Sequence, residues 1–159
     1  SLREGGIRVP FVVRGPGIAA GDQCDVPVSG IDILPTLYEL AGGDQLETVQ
    51  VIDGVSFAPL LLDAHDLKTT EQLMERGLTW HYPKFNSWEL QTASSAIRLG
   101  HWKLIHNWET SHSGLFNLKT DLSESFDLSK KLPALTSALR VALFAELRAA
   151  GQPVPAVKM

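Results

Sequence analysis

The chain has 159 residues, a net charge of −4 and a pI near 5.7, with 44% hydrophobic and 20% charged residues. That is ordinary composition for one domain, or for two small subdomains sharing a core. The acidic balance, without a basic stripe, excludes a nucleic-acid partner held by bulk electrostatics, and no apolar run reaches the roughly 18 residues of a membrane span.

The chain opens at Ser1 without an initiator Met and without the n-region and h-region of a signal peptide. Glu4-Gly5-Gly6 is a bend, and the apolar run 7–13 behind it predicts a short buried strand. Pro10 cannot donate to a ladder, which suits an edge strand or a position near a strand's start. Arg14-Gly15-Pro16-Gly17 stops it. Cys24 is the one cysteine, so an internal disulfide is excluded, and Cys-Asp-Val-Pro has no metal-ligand spacing.

Asp32 reads as an N-cap, with Pro35 placed where its missing N–H costs nothing. Ile33, Leu34, Leu37, Leu40 and Ala41 carry the helical period, and Gly42-Gly43 ends it. This mostly apolar helix, 33–41, is expected to bury itself against a sheet. Residues 44–51 are a polar loop. Ser56 caps one or two helical turns over 57–62, and 63–75 is polar enough to read as a connection.

The second half has a β texture. Residues 77–82 are strand-like and Pro83 closes them; 84–94 is a loop carrying Phe85 and Trp88. In 95–106, Ile97 and Leu99 alternate with Ala96 and Arg98, and Trp102 and Leu104 alternate with Lys103 and Ile105. Gly100-His101 between them predicts a two-residue hairpin turn. Residues 114–118 add a fourth strand to a small antiparallel meander, whose apolar face needs a cover. Leu135, Leu139, Leu143 and Leu147 recur every four residues after Pro133, before Gly151, and supply it. Burying four leucines fully contributes about 6–12 kcal/mol before entropy, enough to dock the helix.

The catalytic motifs of several hydrolase classes are absent: no Gly-x-Ser-x-Gly, no His-Glu-x-x-His, no phosphate-cradling glycine loop and no Asp-x-Asp cluster. Five histidines remain. His65 falls in the connection and His101 in the turn. His81 lies between Trp80 and Tyr82 at a strand end, which suits the rim of a pocket. His106 and His112 flank a polar loop and are the next candidates for a cleft. Trp80, Tyr82, Phe85, Trp88 and Trp108 suit sugar stacking, although packing explains most of them equally well.

The order of these pieces resembles the sulfatase family. Glu-Gly-Gly-Ile-Arg-Val-Pro at 4–10, Pro16-Gly17, and Asp32-Ile33-Leu34-Pro35-Thr36-Leu37 come first. Asp53-Gly54-Val55-Ser56 with Pro59-Leu60-Leu61 follows, then Trp80-His81-Tyr82-Pro83 and Ala96-Ile97-Arg98-x-Gly100-x-Trp102-Lys103-Leu104-Ile105. Leu115-Phe116-Asn117-Leu118 with Asp121, Glu124 and Asp127-Leu128 completes a match over essentially the whole chain. Each motif alone is weak; together and in order they are specific.

The resemblance implies an α/β, alkaline-phosphatase-like fold, of which this is the C-terminal piece. It divides the chain into 1–66, the end of the large α/β domain; 67–76, a connection; and 77–159, a subdomain of about four antiparallel strands covered by a C-terminal helix. Family members hydrolyse sulfate esters with a formylglycine, made in a Cys/Ser-x-Pro/Ala-x-Arg motif, and a calcium held by Asp and Asn. Cys24 does not fit that motif, because proline comes one place late and no arginine follows. The family's metal carboxylates and its sulfate-contacting lysine belong to segments before Glu4, and Arg3 is too close to Glu4 to be that lysine.

The expectation is therefore a parent enzyme acting on a sulfated small molecule or glycan, with no catalytic or metal-binding residue in these 159 positions. His81, Trp80, Tyr82 and His112 are the substrate-side candidates, and calcium and formylglycine are expected in the parent alone. A phosphate- or phosphonate-ester hydrolase of the same superfamily is the first alternative. A non-enzymatic module that self-associates through exposed edges is the second. Neither nucleic acid nor membrane is an expected partner, and family members are often exported.

Overall fold

The computed structural model describes residues 1–43, 52–63, 66–84 and 92–152. The expected loop 44–51, His65, Phe85 and Trp88 lie outside the described residues. The chain folds as two units, one joining residues 1–10 to 77–159 and the other comprising 11–76.

The first unit is built on a meander, β1 (Leu78–Tyr82), β2 (Ser94–Leu99), β3 (Trp102–Asn107) and β4 (Ser113–Asn117), hydrogen-bonded in that order and antiparallel throughout. The β2–β3 hairpin closes as expected, Leu99 facing Trp102 across Gly100-His101. Gly100 has φ 58°, a value that favours glycine in a two-residue turn. Across the sheet Thr79, Ile97, Leu104 and Leu115 stand opposite one another and share a face.

Helix α5 (Pro133–Ala149) covers that face. Its Leu139, Leu143 and Leu147 are buried against Ile97, Leu104 and Leu115, with Leu135 partly buried beside them. Gly151 and Gln152 donate to the Arg148 and Leu147 carbonyls, which ends the helix where the sequence places its stop.

The opposite face differs from expectation. Strict alternation makes Lys103 a solvent-side residue, yet it is fully buried. The cover is the N-terminal segment, where residues 4–7 form one helical turn, α1 (Glu4–Ile7), in place of a bend feeding a strand. Residues 8–13 are not a strand among the described residues. An extended run becomes one only when a neighbour takes its backbone bonds, and here Val9 and Val12 stand 72% and 89% exposed.

The second unit carries three helices, α2 (Ile33–Leu40), α3 (Ala58–Leu62) and α4 (Leu67–Glu75). Phe57, Leu60 and Leu73 form its core, lined by Val26, Val28, Val55 and Leu61. The stretch expected as a connection is helical because Asp66 accepts from the Thr69 N–H, a cap the sequence reading passed over. Helix α2 falls where expected but does not bury its apolar residues. Ile33, Leu34, Leu37, Tyr38 and Leu40 are all exposed, and Thr36 is the buried one.

Asp32 stands at the N-cap position of α2, but its side chain makes no capping bond to that helix. It closes a 3-10 turn, Gly30–Asp32, and its buried carboxylate accepts from the Ser29 and Val55 N–H groups and from both terminal nitrogens of Arg76. Burial raises its pKa, but Arg76 and the two backbone donors outweigh this and hold it below the usual carboxylate range. Among the described residues no helix is long and apolar enough to cross a membrane.

Candidate functional site

The sheet face away from α5 carries a cleft of about 730 Å³, a size that accommodates a ligand-sized molecule. Its floor comes from the strands: Ser94, Ile105, Asn107, Gly114 and Phe116. All five point to that side by the register, opposite to the Ile97–Leu104–Leu115 row. Residues 1–3 form one wall, and the loop around Glu124 to Asp127, with Thr92 and His112, forms the rest.

The lining is polar around an apolar patch. Arg3 lays its guanidinium 5.3 Å from the centre of the Phe116 ring and donates to the Glu124 carbonyl at 2.7 Å. Asn107 donates to the Thr92 hydroxyl at 2.7 Å, and Ser94 donates to the Thr92 carbonyl. His112 Nε2 lies 3.0 Å from Asp127 Oδ2. Burial raises the Asp127 pKa, but the Ser129 and Leu115 N–H groups, the Ser129 hydroxyl and His112 pull it down to about 2. The cleft thus gathers hydroxyls, an amide, the Arg3 cation and the carboxylates of Glu124 and Asp127, with the Phe116 ring buried beneath Arg3.

The four substrate-side candidates separate. His112 lines the cleft. Trp80 and Tyr82 share its face of the sheet, standing opposite Ala96 and Ser94, but are not among its lining residues. His81 points the other way, toward α5, where its Nδ1 lies 2.7 Å from Ser95 Oγ. Desolvation lowers its pKa.

His106 also belongs under α5 and not to the cleft. It hydrogen-bonds Ser113 at 2.9 Å and meets the rings of Trp108 and Phe144 edge-on. Burial, with Arg140 and His112 nearby, lowers its pKa to about 4, so it is neutral near pH 7. Trp108 stacks on Phe144 and donates to Ser95. The His106–Ser113 pair is buried and the His81–Ser95 pair part-buried, both on the sheet face opposite the cleft.

The group that sequence reasoning missed is ionic. Lys103 Nζ hydrogen-bonds Glu4 Oε1 and pairs with Glu124 Oε1, each at 2.8 Å. Arg98 approaches the other Glu4 oxygen at 3.9 Å. Glu4, Lys103 and Glu124 are all buried. The available signal was that each of three separate motifs contributes one charge.

The family model described as N-sulphoglucosamine sulphohydrolase, C-terminal, matches residues 2–148. The chain belongs to this sulfatase C-terminal family. This sulfatase C-terminal domain is 30% identical to arylsulfatase K of Gallus gallus over 143 residues, covering 87% of this chain and 25% of that protein. It is 32% identical to choline-sulfatase of Rhizobium meliloti over 147 residues, covering 92% and 26%. It therefore spans about a quarter of the length of these curated relatives.

Among solved structures, a 2-O GAG sulfatase matches with a TM-score of 0.65 at 23% identity, over 86% of this chain and 29% of its own. Ps i-CgsB in complex with k-i-k-neocarrahexaose matches with a TM-score of 0.58 at 27% identity, over 76% and 24%. The architecture is that expected: a small four-stranded antiparallel sheet with helices, shared with sulfatases of alkaline-phosphatase-like fold.

The calcium and formylglycine implied by this family do not fit the residues present. Among the described residues no three His, Cys, Asp or Glu side chains gather as a ligand set. Cys24 is exposed, and no arginine follows it at motif spacing.

Proposed function

We propose that the chain is the C-terminal part of a sulfuric ester hydrolase acting on sulfated glycans, and that it has no turnover by itself. It contributes two things to the parent: completion of the α/β body, and a polar cleft at the substrate side. Cleavage itself, with calcium and formylglycine, falls to residues outside this chain.

The observation that carries this reading is the cleft of about 730 Å³, where the hydroxyls of Thr92 and Ser94 and the Asn107 amide gather on a face that also holds the Arg3 guanidinium. Sugar hydroxyls are bound by such convergent polar groups, and a sulfate ester by a guanidinium among them. A structural neighbour, Ps i-CgsB, has been solved in complex with k-i-k-neocarrahexaose, which supports the glycan class. The outward apolar side chains of α2 support the role in fold completion, since a helix of that kind has its partner elsewhere.

The test is an assay of the complete polypeptide with a sulfated disaccharide and its phosphorylated counterpart. Release of sulfate is expected. Release of phosphate with none of sulfate moves the protein to the phosphoester branch of the superfamily and ends the proposal.

A further inference from the structure

The N-terminal segment lies on the sheet without joining it. Its own backbone bonds are few: Gly6 and Ile7 donate to Arg3, and Arg8 donates to Glu4. Gly6 passes so close to the Ser1 carbonyl that a Cβ there would collide with it. Against the sheet the segment is held mainly by charge. Lys103, the second residue of β3, is fully buried and sits between the carboxylates of Glu4 and Glu124. Glu124 uses its second oxygen to accept from the Glu4 N–H at 2.8 Å. Its backbone is held at φ 55°, a region that a non-glycine residue occupies at a cost.

A lone buried ammonium, or two facing carboxylates without it, is far more costly than the paired set. Lys103 is therefore the member that the other two require, and the cluster connects three distant parts of the sequence: residue 4, the start of β3, and the loop after β4. Immediately before Glu4, residues 1–3 form a wall of the cleft.

We propose that Lys103, Glu4 and Glu124 form an ionic lock that fastens residues 1–8 to the sheet, making Lys103 and Glu124 positioning residues for the cleft wall. The lock acts through Glu4 and the backbone of Arg3. No side chain of the lock needs to touch a ligand. The assignment stands on the cluster itself, and only its importance to substrate rests on the function proposed above.

Amide hydrogen exchange on the 159-residue chain tests it. In the native chain the amides of Glu4, Gly6, Ile7 and Arg8 are bonded. In Lys103→Met these amides are expected to exchange at least tenfold faster, while those of Ile97 and Leu104 keep their protection. Lys103→Met combined with Glu4→Gln removes the repulsion and is expected to restore part of the protection, which general loosening of the fold cannot do. Unchanged exchange at the four amides in Lys103→Met overturns the lock. So does acceleration that is shared equally by Ile97 and Leu104.

Glu4→Ala guards against a sheet that fails to fold, because it leaves Lys103 paired with Glu124 and alters no strand. Tenfold faster exchange at Gly6, Ile7 and Arg8 is expected there too, and native rates would contradict the proposal. This readout is independent of sulfate release, so the lock and the proposed function fail separately.

Discussion

His106 shows how burial changes what a residue does. Its position beside a polar loop suggests a cleft, but the β3 register turns it under α5, against Trp108 and Phe144. Desolvation lowers its pKa to about 4, with Arg140 and His112 acting in the same direction. The unfolded chain, with an ordinary histidine pKa near 6.5, then binds the proton first as pH falls. Stability is fully present above about pH 6.5 and is lost progressively toward pH 4, by up to about 3 kcal/mol from this group. Urea denaturation across that range is expected to show the loss. His106→Gln flattens the profile by about one proton, and an unchanged slope would refute this account of the residue.

Asp32 follows the same logic with the opposite outcome. Its burial is compensated by Arg76 and two N–H groups, so it remains charged where a lone buried carboxylate would be neutralised. The N-cap signal located it correctly at the start of α2. Its ion pair with a residue 44 positions away carries no local signature.

Among the elements, α5 carries the energetics of the sheet unit. Leu143 is fully buried against the sheet, whereas Val141 on the same helix is 64% exposed. Leu143→Ala is expected to cost about 2–5 kcal/mol, by lost transfer energy plus a residual cavity. Val141→Ala is expected to stay within about 0.5 kcal/mol. Chemical denaturation of the two variants checks the contrast, and equal effects would mean that the helix does not pack by the leucine stripe.

This helix, the β2–β3 hairpin and the short β4 were legible because each is specified locally, by a four-residue period, a glycine turn and alternation. Residues 8–13 and α2 were legible in outline only. A strand and a buried helix are defined by what lies against them, and their apolar residues are exposed here. Lys103 was misplaced for a related reason. Alternation gives the face on which a side chain lies, but not whether a segment some 99 residues away covers that face.

The same holds for the candidate site. His112 reached the cleft and His81 did not, because the adjacent positions Trp80, His81 and Tyr82 alternate between faces. The cleft itself draws on residues 1–3, the strands and the loop at 124–127, a gathering that no single stretch of sequence announces.

At the scale of the whole molecule, the match to the sulfatase C-terminal family covers residues 2–148, while the chain spans only about a quarter of its curated relatives. The described residues supply a polar cleft and the buried Glu4–Lys103–Glu124 cluster. Stabilising a departing sulfate ester requires preorganised positive charge, usually with a metal. In this chain the most deeply buried cation, Lys103, is already committed to Glu4 and Glu124. The function proposed above divides structure and chemistry between this chain and the rest of its parent. It is tested most directly by adding an aryl sulfate to the purified 159-residue chain, with and without calcium. Sulfate release no faster than in buffer is expected, and calcium-dependent turnover by the isolated chain would contradict the division.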